Sequence, residues 1–268
     1  MVENVAKKEM KSKKIYLIIN FRNSSKSIRK CFLSLINQKY KNIFFVLFDH
    51  SSSDNSKQIL IDLIKKYNIK NFKFLSGSSN RSLVQCRNLA VKFVLSKAKP
   101  DDFLAFCDSD DWWHPMWLKS LILKNNFLRD IIYCQGYMHL PNKRIKFVSS
   151  YDYPKLLYWH SIGIGTMIIK IRFIKKICKP KLFDEYCKIV YDTEFLVRIF
   201  GKVKTYKTNS KHFNYNRSNV STSSNVFQVI KEWEHIRSKH KIKNFLKYHI
   251  RSVWYIFREL HRYFKIKF

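Results

Sequence analysis

Four short apolar runs, separated by amphipathic segments, organise the first half of the chain. Polar residues bound each of these runs, which are Ile15–Ile19, Ile43–Phe48, Phe72–Leu75 and Phe103–Cys107. Brief, continuously apolar runs are typical of strands buried on both faces of a parallel sheet. The intervening segments carry apolar residues three and four positions apart, which predicts helices. This order predicts an α/β fold with a doubly wound, mostly parallel sheet and helices on both faces.

Beyond residue 113 the periodicity predicts more helices and shorter strands. We expect helices after Pro115, near residues 171–177 and over residues 191–200, with strands inside 131–170 and 203–206. Residues 214–225 are rich in Ser and Asn and predict a loop. From Phe227 the chain is helical in pattern. We therefore divide it into a basic flexible tail (1–12), one α/β domain (13–225) and a basic amphipathic C-terminal helical extension (226–268).

The charge of the chain is extreme. Its 268 residues carry 52 Lys and Arg against 19 Asp and Glu, a formal net charge of +33. Such a balance implies an anionic partner, which is a nucleic acid, a membrane surface or a phosphorylated substrate. The basic residues are spread along the whole chain, and no recognised nucleic-acid-binding module is present, so we expect no nucleic-acid partner.

Cysteine usage and the N-terminus indicate a compartment. None of the six cysteines forms a C-x-x-C pair, which argues against a zinc site and fits a reducing environment. No long apolar segment precedes Phe21, so we predict no signal peptide, and no stretch has the length of a membrane span. We expect a cytoplasmic protein, with peripheral attachment to the inner face of the cytoplasmic membrane left open.

The C-terminal extension bears one apolar stripe. Its apolar residues recur at steps of three and four from Leu246 to Phe268, and basic residues between Lys243 and Lys267 lie mostly off that stripe. A basic amphipathic helix of this kind suits the surface of an anionic membrane. The other interpretation is that the stripe packs on the α/β domain.

The fourth apolar run ends abruptly in an acidic turn. Asp108, Asp110 and Asp111 follow it within four positions. Open α/β sheets bind ligands at the carboxyl ends of their strands, and three carboxylates so close together repel one another. A divalent cation with oxygen ligands would relieve this repulsion. The alternative is a solvated acidic turn.

Other polar positions line up with this turn. Asp49 ends the second strand, Arg87-Asn88 lies on the helix before the fourth strand, and Asp192 opens a late helix six residues before Arg198. Together with the segment from Phe106 to Pro115, this order resembles the family-2 glycosyltransferases of the GT-A fold. The resemblance covers roughly residues 13–220.

The resemblance implies a reaction. It implies an inverting, metal-dependent transfer of a sugar from a nucleotide-diphosphate donor, a UDP-sugar, to a hydroxyl of a glycan or lipid-linked acceptor. The pathway implied is surface polysaccharide or lipooligosaccharide synthesis. The metal implied is Mn²⁺ or Mg²⁺, acting as a Lewis acid on the leaving diphosphate.

The resemblance also implies site residues. Asp192 matches the general base, and Asp110 with Asp108 matches the metal-binding D-x-D motif. The donor nucleotide would contact Asn23, Asp49, Arg87 and Asp108. Trp112 and Trp113 would offer an acceptor or sugar platform, although one of them is expected in the core.

Structural alternatives accompany these assignments. Asp49 also suits a turn, Asp192 a helix N-terminus, and Arg87 a structural ion pair with the acidic turn. The sequence departs from the family pattern in the loop after the first strand and at single positions further on, which leaves the donor nucleotide and sugar open: Asn20–Asn23, His50, Ser51, Ala90, Tyr191 and Asn216. The competing functional hypotheses are a basic nucleic-acid- or anion-binding protein and a non-catalytic fold-mate in a glycan assembly complex.

Overall fold

The computed structural model describes residues 13–122, 129–140, 143–147, 163–177, 181–216 and 225–242. The predicted tail (1–12) and the amphipathic stripe of residues 243–268 lie outside the described residues. The described part contains a seven-stranded sheet, a smaller four-stranded sheet and helices packed around the larger one.

The larger sheet is built on the four predicted apolar runs. They form β1 (Ile15–Phe21), β2 (Ile43–Asp49), β3 (Phe72–Ser76) and β4 (Phe103–Asp108), which are mutually parallel. β1 lies between β2 and β4, so the carboxyl ends of these three strands meet at one edge. The doubly wound parallel sheet expected from the sequence is confirmed.

The remaining strands complete both sheets. They are β5 (Trp112–Trp113), β6 (Ile131–Tyr133), β7 (Gly136–Leu140), β8 (Lys143–Phe147), β9 (Met167–Lys170), β10 (Thr205–Lys207) and β11 (Phe213–Asn216). β9 runs antiparallel between β4 and β6, and β10 pairs with β6. The second sheet has the order β5-β11-β7-β8.

Seven α-helices are described. They are α1 (Ile28–Ile36), α2 (Ser56–Lys66), α3 (Leu83–Lys97), α4 (Trp117–Ile122), α5 (Ile171–Ile177), α6 (Tyr191–Ile199) and α7 (Val226–Lys239). A capping box between Ser82 and Gln85 fixes the start of α3, which brings Arg87 into the interior. Gly201 follows α6 at φ +75°, a conformation that ends a helix at little cost for glycine.

Two apolar clusters cover the two faces of the larger sheet. One contains Tyr16, Ile18 and Phe106 with α3, α5, α6 and α7, and the other contains Leu17, Ile19 and Cys107 with α1, α2 and α4. Alternate residues of β1 therefore point into opposite clusters. Val229 and Ile236 place α7 in the first cluster, so the described start of the predicted extension packs on the domain.

One part of the secondary-structure prediction was wrong. Residues 213–216 form β11, whereas the sequence indicated a loop from residue 214. β11 pairs with β5, about a hundred residues earlier, and with β7, so tertiary pairing outweighs the local loop signal of Asn214 and Asn216. Among the described residues, no helix is both long and apolar enough to cross a membrane.

Candidate active site

The strand register gathers the polar ends of β1, β2 and β4. Asn20 of β1 lies opposite Asp108 of β4, and Phe21 lies opposite Asp49 of β2. Adjacent strands of a sheet lie about 4.8 Å apart, so these side chains share one edge. This is the edge at which open α/β sheets bind ligands.

The loops after β1 and β2 hold each other in place. Asp49 Oδ1 accepts the Ser52 N–H at 2.9 Å, and Asn23 Oδ1 accepts the Ser53 N–H at 2.8 Å. Asn23 and Ser51 both have left-handed backbones, with φ of 48° and 54°. The turn-forming alternative for Asp49 is therefore present in the structure.

Asp54 shapes the start of α2. Its carboxylate accepts the Ser56 N–H at 3.0 Å and the Ser25 N–H at 2.9 Å. Burial acts to raise the pKa of Asp54, but the hydrogen bonds from Ser56 and Ser25 lower it to about 2. The N-cap position of α2 belongs to Asn55, the residue after Asp54.

Arg87 lies between the acidic turn and helix α6. It is 1% exposed, its Nη2 donates to Asp108 Oδ1, and its guanidinium lies 4.9 Å from the centroid of the Tyr191 ring. Its Nε and Nη1 are buried and have no hydrogen-bond partner among the described residues. The ion pair with the acidic turn is therefore formed, while two nitrogens retain the capacity to bind an anion.

The three carboxyls of the acidic turn differ in environment. Asp111 is 2% exposed and accepts the N–H of Asn216 at 2.9 Å, so it ties the turn to β11. Burial, then the charges of Asp108 and Asp110, raise the pKa of Asp111 well above its ordinary value. Asp108 is 41% exposed and open to a ligand. The turn thus has one structural and two accessible acids.

Asp108 and Asp110 suit a divalent cation. Burial, followed by the negative charge of Asp108, raises the pKa of Asp110 from 3.8 to about 6. A carboxyl whose ionisation is opposed by burial and by a neighbouring carboxylate gains from a cation placed between the two groups. Oxygen donors of this type fit Mg²⁺ or Mn²⁺. The donor set therefore fits the metal that the sequence implied.

Another group of ligand-type side chains lies where the segment before α6 meets α7. Asp184, Cys187 and His235 place their donor atoms within 4.8 Å of one another. However, Asp184 already pairs with the Lys239 ammonium at 2.5 Å and with His235 Nε2 at 2.8 Å. Burial also raises the pKa of Cys187, which disfavours the thiolate that a metal requires. We assign this group to the packing of the segment before α6 against α7.

Asp192 lies in the first turn of α6. Its Oδ1 accepts the Thr193 N–H at 2.8 Å, as a residue near a helix N-terminus can. Burial raises the pKa of Asp192 to about 6, while the Thr193 N–H and the Arg87 charge act to lower it and Asp108 acts to raise it. The charges of Arg87 and Asp108 both act on the Asp192 carboxyl, and the ring of the preceding residue, Tyr191, lies 4.9 Å from the Arg87 guanidinium. At neutral pH it is mostly ionised and more basic than an ordinary aspartate.

Arg198, which follows Asp192 by six residues, points elsewhere. Its Nε lies 3.2 and 3.3 Å from the two carboxylate oxygens of Glu194, and its Nη2 donates to the Leu182 carbonyl at 2.5 Å. Arg198 therefore fastens α6 to the segment before it, and Arg87 is the arginine that accompanies the site.

The two tryptophans after the acidic turn have separate environments. Trp113 is 2% exposed and stacks on Trp117 at 3.8 Å between ring centroids, so it is a core residue and no platform. Trp112 is partly exposed, but Lys30 Nζ lies 3.1 Å from its ring centroid and His139 stands beside it at 4.5 Å. Only Trp112 remains a platform candidate, with one ring face already covered.

Two further polar groups at this edge were not predicted as site residues. Three side-chain atoms are buried without a hydrogen-bond partner among the described residues: Oδ1 and Nδ2 of Asn20 and Nε2 of His50. Buried polar groups rarely stay unpaired unless a ligand or water meets them. The available signal in the sequence was the position of each residue, at or just after the end of an apolar strand.

Comparison with known proteins gives a consistent picture. The family model "Glycosyl transferase family 2" matches residues 16–180. The chain is 26% identical over 233 residues to the Escherichia coli UDP-Glc:alpha-D-GlcNAc-diphosphoundecaprenol beta-1,3-glucosyltransferase WfgD, covering 82% of this chain and 84% of that protein.

Solved structures share the fold. S. aureus TarS 1–349 in complex with UDP-GlcNAc has a TM-score of 0.66 at 18% identity, over 94% of this chain and 73% of TarS. In another TarS 1–349 structure the chain spans 65% of the neighbour. The Pyrobaculum calidifontis mannosyltransferase PcManGT with GDP-Man and Mn²⁺ has a TM-score of 0.64 at 11% identity, over 94% of this chain and 74% of PcManGT.

These neighbours confirm the GT-A fold expected from the sequence. The family match covers more than half of the chain and includes the ends of β1, β2 and β4. The chain belongs to glycosyltransferase family 2 and is a glycosyltransferase.

Proposed function

We propose that the chain is an inverting, metal-dependent glycosyltransferase that moves a sugar from a UDP-sugar to a hydroxyl of a glycan or lipid-linked acceptor. The observation that carries this proposal is the cluster of Asp108, Arg87 and Asp192. It combines an accessible carboxylate of the D-x-D turn, a buried cation with free N–H groups and a carboxyl with a pKa of about 6.

The proposed reaction is a single displacement at the anomeric carbon. Asp192 accepts the proton of the acceptor hydroxyl while that oxygen bonds to the anomeric carbon. The bond between this carbon and the diphosphate oxygen breaks at the same time, and both electrons leave with the nucleoside diphosphate. The free nitrogens of Arg87 then stabilise the negative charge on the diphosphate.

Asp108 and Asp110 would hold the metal. When bound, a divalent metal ion supplies Lewis-acid stabilisation to the leaving diphosphate. Asp111 acts in a different manner, because its buried carboxylate anchors the turn to the backbone of Asn216. The proposal therefore separates two ligating acids from one positioning acid within four residues.

Relatives support the choice of substrates. The WfgD protein is named for a UDP-glucose donor and a GlcNAc-diphosphoundecaprenol acceptor, and TarS was solved with UDP-GlcNAc. We extend this chemistry to a UDP-sugar donor and a lipid-linked glycan acceptor in surface polysaccharide synthesis. The alternative pathway is lipooligosaccharide synthesis. Peripheral membrane binding through residues 243–268 stays a prediction of the sequence.

A panel of nucleotide sugars tests the donor. We expect UDP-glucose or UDP-GlcNAc to raise the melting temperature in the presence of Mn²⁺, because a ligand at 100 times its Kd adds about 2.7 kcal/mol to the free energy of unfolding. The same nucleotides without metal, and GDP-mannose with metal, serve as controls. A shift with every nucleotide regardless of Mn²⁺ would indicate general anion binding by a basic protein instead.

The pH dependence of transfer tests the two raised pKa values. Asp192 must be ionised to accept a proton, and Asp110 must be ionised to hold a metal. Because burial raises both pKa values to about 6, we expect activity to fall as pH decreases below 6. An ordinary aspartate would sustain activity to about pH 4. Rates from pH 5 to 8, with folding checked by circular dichroism, decide between these outcomes.

A further inference from the structure

Helix α7 packs against the backbone that leads into Asp192. Its Glu232 side chain is 0% exposed. Glu232 Oε1 accepts the N–H of Lys188 at 2.7 Å, and Oε2 accepts the N–H groups of Ile189 and Val190, each at 2.9 Å. Gln228, one helical turn earlier, donates to Oε1 at 2.8 Å. The whole carboxylate is therefore directed at the three residues before α6.

This arrangement determines where α6 begins. A buried carboxylate is costly unless it is fully hydrogen-bonded, and four hydrogen bonds meet that condition here. A negative charge before the first turn also interacts favourably with the helix dipole. Val190 is the N-cap residue of α6, and Asp192 follows it by two positions.

A second contact holds α6 beyond Asp192. Glu194 is 0% exposed, and it pairs with Lys239 Nζ at 2.9 Å and with His240 Nε2 at 3.0 Å. Lys239 and His240 lie at the C-terminal end of α7. One helix thus fixes the backbone before Asp192 and a side chain after it.

We propose that Glu232 is a positioning residue for the transfer reaction, which keeps the Asp192 carboxyl beside Arg87 and Asp108 by holding the backbone of residues 188–190. This inference rests on the function proposed above. In the proposed reaction, Glu232 contacts none of the reacting atoms. The inference makes α7 a part of the catalytic unit, although α7 lies beyond the 16–180 segment that matches the family.

The test variant is Glu232→Gln. An amide has one acceptor oxygen, so its NH₂ group must face at least one backbone N–H that the carboxylate accepted. We expect kcat to fall about tenfold, because small displacements of a catalytic group are costly, while the KM for UDP-glucose with Mn²⁺ stays within about twofold. The acceptor in this assay is a GlcNAc-diphosphate-lipid.

The pH profile separates positioning from general stability. At saturating Mn²⁺ and UDP-glucose, where Asp110 as a metal ligand would stay ionised, the acid limb of kcat reports Asp192. A loosened α6 start lets water reach Asp192, so its pKa falls toward the ordinary value and this limb moves to lower pH. Loss of folded protein would scale the whole profile without moving its midpoint. Glu234→Gln is the matched control, because Glu234 lies on the same helix and is exposed. It should reproduce the wild-type midpoint and rate.

Gln228→Ala gives a milder perturbation if Glu232→Gln does not fold. It removes only the side chain that orients Glu232, and we expect a smaller shift of the midpoint in the same direction, with a smaller loss of kcat. A folded Glu232→Gln or Gln228→Ala protein with the wild-type midpoint and kcat would overturn the inference. The proposed function has a test of its own. It would be contradicted if Asp192→Asn kept full transfer activity, whatever the result for Glu232→Gln.

Discussion

Replacing Asp192 with Asn is expected to lower the rate of transfer by about 10²–10⁴, which is the usual contribution of a general base. The amide oxygen retains the capacity to accept the Thr193 N–H, so the first turn of α6 should persist. The amide cannot accept the proton of the acceptor hydroxyl. Donor binding should stay within about twofold, because Asp192 is not expected to hold the nucleotide.

The measurement is kcat at saturating donor and acceptor, with donor affinity from calorimetry. Asp62→Asn is the control, since Asp62 is an exposed acid of α2 that accepts the Gln58 side chain. It should leave both quantities unchanged. Weakened donor binding with wild-type turnover at saturation would place Asp192 in the donor site and remove it as the base.

The position of the candidate site could be predicted because the sequence shows where each strand ends along the chain. Three continuous apolar runs and one run interrupted by Lys73 indicate a parallel sheet, and parallel strands end at a common edge. Asp49 and Asp108 therefore had to lie near each other. Asn20 belongs to the same edge by the same argument. Only the structure shows that its Oδ1 and Nδ2 are buried without a hydrogen-bond partner among the described residues.

The different environments of the three acids in the acidic turn could not be predicted. Asp110 and Asp111 are neighbours in the sequence, yet Asp111 binds the backbone of Asn216, 105 residues later. That bond depends on β11, which the local sequence did not indicate. The core position of Trp113 has the same origin, because β5 pairs with β11 and turns Trp113 toward Trp117.

The role of α7 was also hidden from local patterns. Its periodicity predicts a helix, but periodicity does not specify what a buried glutamate contacts. Glu232 bonds to residues more than forty positions earlier, and Lys239 pairs with Asp184 and Glu194. These contacts form only in the folded chain, so the local sequence does not connect α7 with Asp192.

Replacing Asp110 with Ala is expected to abolish metal-dependent nucleotide binding and to lower transfer on the order of 10³-fold, since a metal supplies several kcal/mol of charge stabilisation. The free energy of unfolding without ligand should instead increase. The folded protein raises the pKa of Asp110 to about 6, so its ionisation at neutral pH opposes folding. Removing the carboxyl removes that cost at pH 7, and this gain should disappear as pH falls below about 4.

Two measurements on Asp110→Ala check these expectations, with Asp62→Ala as the matched control. Titration with UDP should show Mn²⁺-dependent binding for the control and none for Asp110→Ala. Thermal unfolding without ligand should give a higher melting temperature for Asp110→Ala than for wild type at pH 7, and a difference that shrinks toward pH 4. Equal UDP affinity with and without Mn²⁺ in the wild-type protein would contradict the metal site. If Asp110→Ala instead melts lower than wild type at pH 7, the carboxyl stabilises the turn, and mutual repulsion does not describe this pair of acids.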